Sequence, residues 1–128
     1  YNMGHMYEAA VAYYQATGKQ VFLDVAIQNA DLIDAVFGNN KRRDVPGHQE
    51  IEIGLVRLYR ATGDEKYLKL AKFFLDERGQ TNGRDLYGSY CQDHLPVTQQ
   101  TEAVGHAVRA AYMYASMADV AALTGDED

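Results

Sequence analysis

PGHQEIEIGLVRLYRATGDEKYLKLAKFFLDERG, residues 46–79, reads as one complete structural unit. Over residues 65–77, Tyr67, Leu68, Ala71, Phe74 and Leu75 recur at helical spacing while lysines fill the opposite face, the pattern of a helix with one solvated side. Upstream, Ile51, Ile53, Leu55, Val56, Leu58 and Tyr59 make a segment apolar nearly all round, which belongs inside a protein. Gly63 stands where a helix end needs a residue tolerant of positive φ, and Asp64-Glu65 restarts a helix with acids favoured by the macrodipole. The unit is therefore an inner helix, a tight turn and an outer helix.

The unit has two echoes: GHMYEAAVAYYQATG at 4–18 and, more loosely, GHAVRAAYMYASMADVAALTG at 105–125. Each opens on Gly-His and closes on Thr-Gly. The turns are 45 residues apart from Gly18 to Gly63 and 62 from Gly63 to Gly125, too loose for a regular solenoid but compatible with a barrel of paired helices. Long connectors at 37–46 and 78–96 return the chain from an outer helix to the next inner one. The predicted organisation is all-α, with helical pairs at about 4–36 and 47–77 and a further inner helix at about 100–122.

Composition narrows the functional class. The chain has 128 residues, 47% of them hydrophobic and 23% charged, which suits a single soluble globular domain. Its net charge of −6 combines 12 basic with 18 acidic residues, and the only basic cluster is Lys41-Arg42-Arg43, so nucleic acid is excluded as the expected partner. A membrane partner is not expected either, because no apolar run approaches the roughly 20 residues that span a bilayer. The single cysteine, Cys91, fits a cytoplasmic or a periplasmic location equally, so the compartment stays open.

If the inner helices run parallel around an axis, His5, His48 and His106 share one rim, and the long connectors lie on that rim too. A carboxylate stands within one turn of each histidine: Glu8, Glu52 and Glu102. His94, from the second connector, and Glu102 join the three histidines as candidate sugar contacts, and Tyr1, Tyr87 and Tyr90 near the loops are placed to stack on a ring. Such a polar mouth over an apolar body suits a small polyhydroxylated ligand, whereas simple helix capping is the plainer reading of any one Gly-His pair. No metal site is expected within the chain: His5 and Glu8 have workable spacing, but there is no HisGluXXHis pair and Cys91 has no partner thiol. Cys91 also lacks an adjacent base pattern, so it is not read as a nucleophile.

PGHQEIE with LYRATGDEKYL, and EAVGHAVRAAYMY with MADVAALTGD, resemble blocks of glycoside hydrolase family 127, the β-L-arabinofuranosidase family, and the resemblance covers nearly the whole chain. It implies part of an (α/α)6 barrel, with His5, His48 and His106 lining a pocket for terminal arabinofuranose. It also implies a retaining mechanism with a zinc-bound cysteine thiolate as nucleophile and a glutamate as acid/base, supplied by a segment C-terminal to these blocks. On this reading residues 1–128 form an incomplete catalytic barrel with no catalytic residue of their own. Cys91 does not take the nucleophile's place, nor Glu102 the acid/base's. Zinc is expected only in the longer parent protein, and the isolated piece is expected to be inactive and to associate through exposed barrel edges. Two other readings stand beside it. One is another (α/α)6 sugar enzyme of the unsaturated glucuronyl hydrolase or epimerase type. The other is a helical-repeat interaction module, whose binding residues would lie along a concave face.

Overall fold

The structure, a computed structural model, describes residues 1–126. Among them five α-helices follow in order: α1 (Asn2–Thr17), α2 (Val21–Val36), α3 (Ile51–Thr62), α4 (Glu65–Glu77) and α5 (Ala107–Thr124). Two short 3-10 turns, Ser89–Cys91 and Val97–Gln99, punctuate the second connector. α3 is the hub: α1 and α5 flank it, and α4 packs behind it. α2 packs against α1 and reaches α4, so α1, α3 and α5 form an inner arc with α2 and α4 outside.

The three Thr-Gly stops share one geometry. Gly18, Gly63 and Gly125 take φ of 70°, 73° and 71°, and their N–H groups donate to Tyr14, Tyr59 and Ala121 carbonyls. Thr17, Thr62 and Thr124 each donate a hydroxyl to the carbonyl four residues back, at 2.7, 2.8 and 2.8 Å. The same hydroxyls accept from the amides of Lys19, Asp64 and Asp126 at 3.2, 3.2 and 3.3 Å. Threonine thus satisfies one group on each side of the turn, and glycine relieves the strain of the left-handed step.

The inner helices approach closely because glycines meet where α1 crosses α3. A Cβ on Gly54 would lie 2.6 Å from the Gly4 carbonyl oxygen and 2.7 Å from its Cα. Tyr7, Ala10, Leu55, Val56, Leu58, Tyr67 and Phe74 fill the core around this crossing. Two polar side chains on α2 have a partner that periodicity does not reveal: Asn29 accepts the Tyr7 hydroxyl at 2.6 Å, and Asp31 accepts the Tyr67 hydroxyl at 2.8 Å. Burial is greatest in the middle of the arc, on α3 and α4, while Val21, Val25 and Leu32 of α2 and Val108 and Tyr114 of α5 are exposed.

The second connector is held by buried polar groups. Arg78, fully buried, donates to the Cys91 carbonyl at 3.1 Å and the Pro46 carbonyl at 3.0 Å, and stands 3.8 Å from Glu52. Burial lowers the Arg78 pKa, a shift that the nearby Glu52 carboxylate opposes. Asp93 accepts from the amides of Gly79 (2.6 Å) and Tyr87 (2.8 Å) and pairs with Arg84 at 2.6 Å. Gln92, at φ 52°, accepts from Gln49 at 2.9 Å and donates to the Val104 and His106 carbonyls at 2.8 and 3.1 Å.

These ties explain one departure from the sequence reading. The third inner helix begins at Ala107 rather than near residue 100. Gly105, at φ 75°, passes so close to the first 3-10 turn that a Cβ would lie 2.1 Å from the Ser89 carbonyl oxygen, and the His106 amide donates to the Tyr90 carbonyl at 3.1 Å. A backbone pinned to that turn cannot also wind into a helix.

Candidate functional site

The three Gly-His histidines start from different places. His5 lies inside the first turn of α1, His48 stands three residues ahead of α3, and His106 is the residue before α5. Tertiary packing nevertheless gathers them. The ring centroids of His48 and His106 are 6.4 Å apart, and Tyr112 of α5 bridges to His48 at 5.9 Å and to His5 at 5.8 Å. Tyr1 covers His48 at 4.8 Å and Tyr90 stands edge-on to His106 at 5.5 Å. Tyr1 and Tyr90 are 56% and 57% exposed, so the cluster is an open mouth with aromatic lips.

Each imidazole has its own setting. His48 Nδ1 lies 2.5 Å from the Gln49 carbonyl oxygen, so Nδ1 carries the proton there and Nε2 is left as an acceptor. Partial burial holds the His48 pKa below the usual histidine value, opposed by that carbonyl and assisted by the neighbouring Arg109. Arg109 is spoken for: Nη1 donates to the Gly47 carbonyl at 2.6 Å and to Cys91 Sγ at 2.7 Å, and the guanidinium lies over Tyr90 at 4.9 Å. His5 Nδ1 is 3.1 Å from Glu8 Oε2 and 3.1 Å from Glu50 Oε1, and its Nε2 is 3.5 Å from the Tyr112 hydroxyl.

The structure does not bring every candidate from the sequence into this mouth. Glu102 is exposed in the irregular stretch before α5, because the helix that would have carried it starts only at Ala107. His94 is half-buried in the second connector and takes no part in the ring cluster; its Nδ1 is buried without a hydrogen-bond partner. Glu52 does not reach His48. It is fully buried, accepts the Glu50 amide at 2.9 Å and faces Arg78. Tyr87 is exposed and stacks on Arg84 at 6.0 Å.

Two carboxyls do enter the cluster: Glu8, one turn along α1 from His5 as its spacing suggests, and Glu50, which periodicity did not single out. Glu50 is fully buried, and burial, with Glu8 beside it, pushes its pKa up to about 8. His5, Glu8 and Glu50 offer ligand atoms within 4.8 Å of one another, which makes them the group that could hold a cation among the described residues. Cys91 is not placed for a metal: its sulfur faces the Arg109 guanidinium, whose positive charge opposes a second cation there. Tyr112 is the other residue that spacing missed, since a tyrosine at a helical position reads as core.

The profile described as β-L-arabinofuranosidase, GH127 catalytic domain, matches residues 1–128. A non-reducing end β-L-arabinofuranosidase of Bifidobacterium longum subsp. longum is 40% identical over 99% of this chain, which covers 22% of that protein. A solved structure described as a GH127 β-arabinofuranosidase is 61% identical with a TM-score of 0.91, over 98% of this chain and 20% of that one. A GH127 β-L-arabinofuranosidase from Geobacillus stearothermophilus T6 is 46% identical with a TM-score of 0.91, over 98% of this chain and 22% of that one. The chain thus spans about a fifth of the length of these relatives. Its inner and outer helices are part of an (α/α)6 barrel, and the chain belongs to the GH127 β-L-arabinofuranosidase catalytic-domain family.

Proposed function

We propose that this chain forms a sugar-binding wall of a retaining glycoside hydrolase acting on terminal β-L-arabinofuranosides. The observation that carries the reading is the meeting of His5, His48 and His106, from the starts of three inner helices or the residues just before them, beneath exposed Tyr1 and Tyr90. Neutral imidazoles offer both a donor and an acceptor, which suits hydroxyls that do both, and tyrosine faces suit the C–H side of a furanose. Glu8 and Glu50 lie against each other and both against one nitrogen of His5, with no gap between them for a scissile bond, so they serve the ring.

The nucleophile and acid/base are assigned to parts of the longer protein outside residues 1–128. The same holds for the family's zinc. A cysteine-ligated ion would supply a deprotonated thiolate, but the one thiol in this chain rests on Arg109, so no step is routed through a metal here. What residues 1–128 supply is orientation: His48 Nε2 stands as an acceptor, and the tyrosines exclude water from the sugar's faces. The uronate-processing alternative is weakened because Arg109 is already committed to Gly47 and Cys91. The repeat-module alternative is weakened because the candidate groups gather at one end of the arc. The apolar faces of α2 and α5 would be covered by further barrel helices, and in the isolated piece by self-association.

The test is hydrolysis of a chromogenic β-L-arabinofuranoside by the full-length protein, compared with uronide and hexoside analogues. Hydrolysis of the arabinofuranoside alone is the expected result. A preference for a uronide, or retained arabinofuranoside turnover after alanine replacement of all three histidines, would sink the reading.

A further inference from the structure

Glu50 is a costly residue to keep where it is. Its side chain is fully buried, with the Glu8 carboxyl beside it and His5 Nδ1 3.1 Å away as the groups that face its oxygens among the described residues, a combination that disfavours folding unless another group offsets it. Its backbone is strained, with φ at 130°. The strain is held from both sides, by Glu52 accepting the Glu50 amide at 2.9 Å and by the Ile53 and Gly54 amides donating to the Glu50 carbonyl at 3.0 and 3.3 Å. Room has been cleared as well: a Cβ on Gly4 would fall 1.8 Å from Glu50 Oε2. All of this aims the carboxyl at His5 Nδ1, 3.1 Å away.

From this we infer that Glu50 is a positioning residue: it holds His5 by Nδ1 and so turns Nε2 toward Tyr112 and the sugar mouth. The inference rests on the sugar-pocket reading for its purpose but not for its geometry. An imidazole has two nitrogens, and occupying one decides which role the other plays. Glu8 Oε2 takes the hydrogen bond of the same Nδ1 at 3.1 Å, but its side chain is 34% exposed and water can take its place, whereas among the described residues Glu50 is the group that stands against Nδ1 from the buried side. Nε2 is 3.5 Å from the Tyr112 hydroxyl, on the side of the cluster where His48 and Tyr112 meet.

The experiment uses the full-length protein with isotopically labelled histidine, the His5 ring being assigned by its loss in His5→Ala. Imidazole nitrogen NMR near pH 9, above the Glu50 pKa of about 8, reads which nitrogen carries the proton. We expect a proton fixed on Nδ1 in the wild type and in Glu50→Gln and Glu8→Gln, because the amide oxygen still accepts from the buried side. Glu50→Leu should release the ring to tautomer averaging. It should also lower kcat/KM on the arabinofuranoside by about tenfold or more, as His5→Ala does, with the double variant no worse than His5→Ala alone. If Glu50→Leu does not fold, Glu50→Asp, one methylene shorter, carries the same expectation of a released ring. An unchanged ring signature in the folded variant overturns the inference. So does tight zinc binding by calorimetry that both Glu8→Gln and Glu50→Leu abolish, since the carboxylates would then be metal ligands. Full sugar turnover in His5→Ala would remove His5 from the sugar reading, and the ring signature would still decide the role of Glu50.

Discussion

The two ends of the inner helices differ in how they are made. At the Thr-Gly end, α1, α3 and α5 stop by one device repeated three times, with glycine φ values within a few degrees of each other and matching threonine hydrogen bonds. At the Gly-His end no two helices start alike, and one residue before α3 is held at φ 130°. Yet the irregular end is where the rings converge. Helix termination is a local matter that a dipeptide can settle, whereas convergence has to be assembled from neighbours that the sequence holds far apart.

The sharpest test of that contrast is pH. Glu50 is expected to keep its proton in the folded state up to about pH 8, while an unfolded glutamate loses it near 4.5. The folded state therefore binds more protons between these values, so stability is full below about pH 4.5 and falls as pH rises toward 8. The loss is at most about 5 kcal/mol, and Glu50→Gln should flatten it in chemical denaturation across that range. A wild type as stable at pH 8 as at pH 5 would contradict the buried-carboxyl picture.

Next in size is Gly54→Ala. Its new methyl would strike the Gly4 backbone, so α1 and α3 must part, at a cost of about 3 kcal/mol in thermal or chemical unfolding. Because the histidines stand at the starts of these helices, the proposed sugar mouth predicts that arabinofuranoside hydrolysis by the full-length protein falls as well. His48→Ala, by contrast, should leave stability nearly unchanged while lowering kcat/KM by about 30-fold, equivalent to about 2 kcal/mol of lost binding. The smallest effect is expected at the opposite end. Thr62→Ala removes two hydrogen bonds of one turn and should cost about 1 kcal/mol of stability with turnover unaltered. Turnover loss in Thr62→Ala comparable to that in His48→Ala would mean that the two ends are not functionally separate.

Much of the architecture could be read from the chain. The stripe through Tyr67, Leu68, Ala71, Phe74 and Leu75 gives α4, and all five of those residues are buried. The Thr-Gly pairs mark the turns because their hydrogen bonds reach no further than four residues back and two ahead. Polar residues were harder. Asn29 reads as an interruption of α2 until Tyr7 arrives from another helix to bond it. Glu52 and Glu102 stand near histidines in sequence but go elsewhere in the fold: one is drawn to Arg78, the other lies exposed in the irregular stretch before α5, whose last residue, His106, is tied to the first 3-10 turn.

The amino-acid order alone determined that this protein is helical, where its inner helices stop and that three histidines precede or open them, because periodicity and turn chemistry act over a few residues. Glu8 stands beside His5 by helical spacing, but only the tertiary structure decided which buried carboxyl joins them. Gly4 leaves a gap that Glu50 fills, and the gap exists only once α1 lies across α3. Long-range packing sets burial, and burial sets the chemistry of an ionisable group.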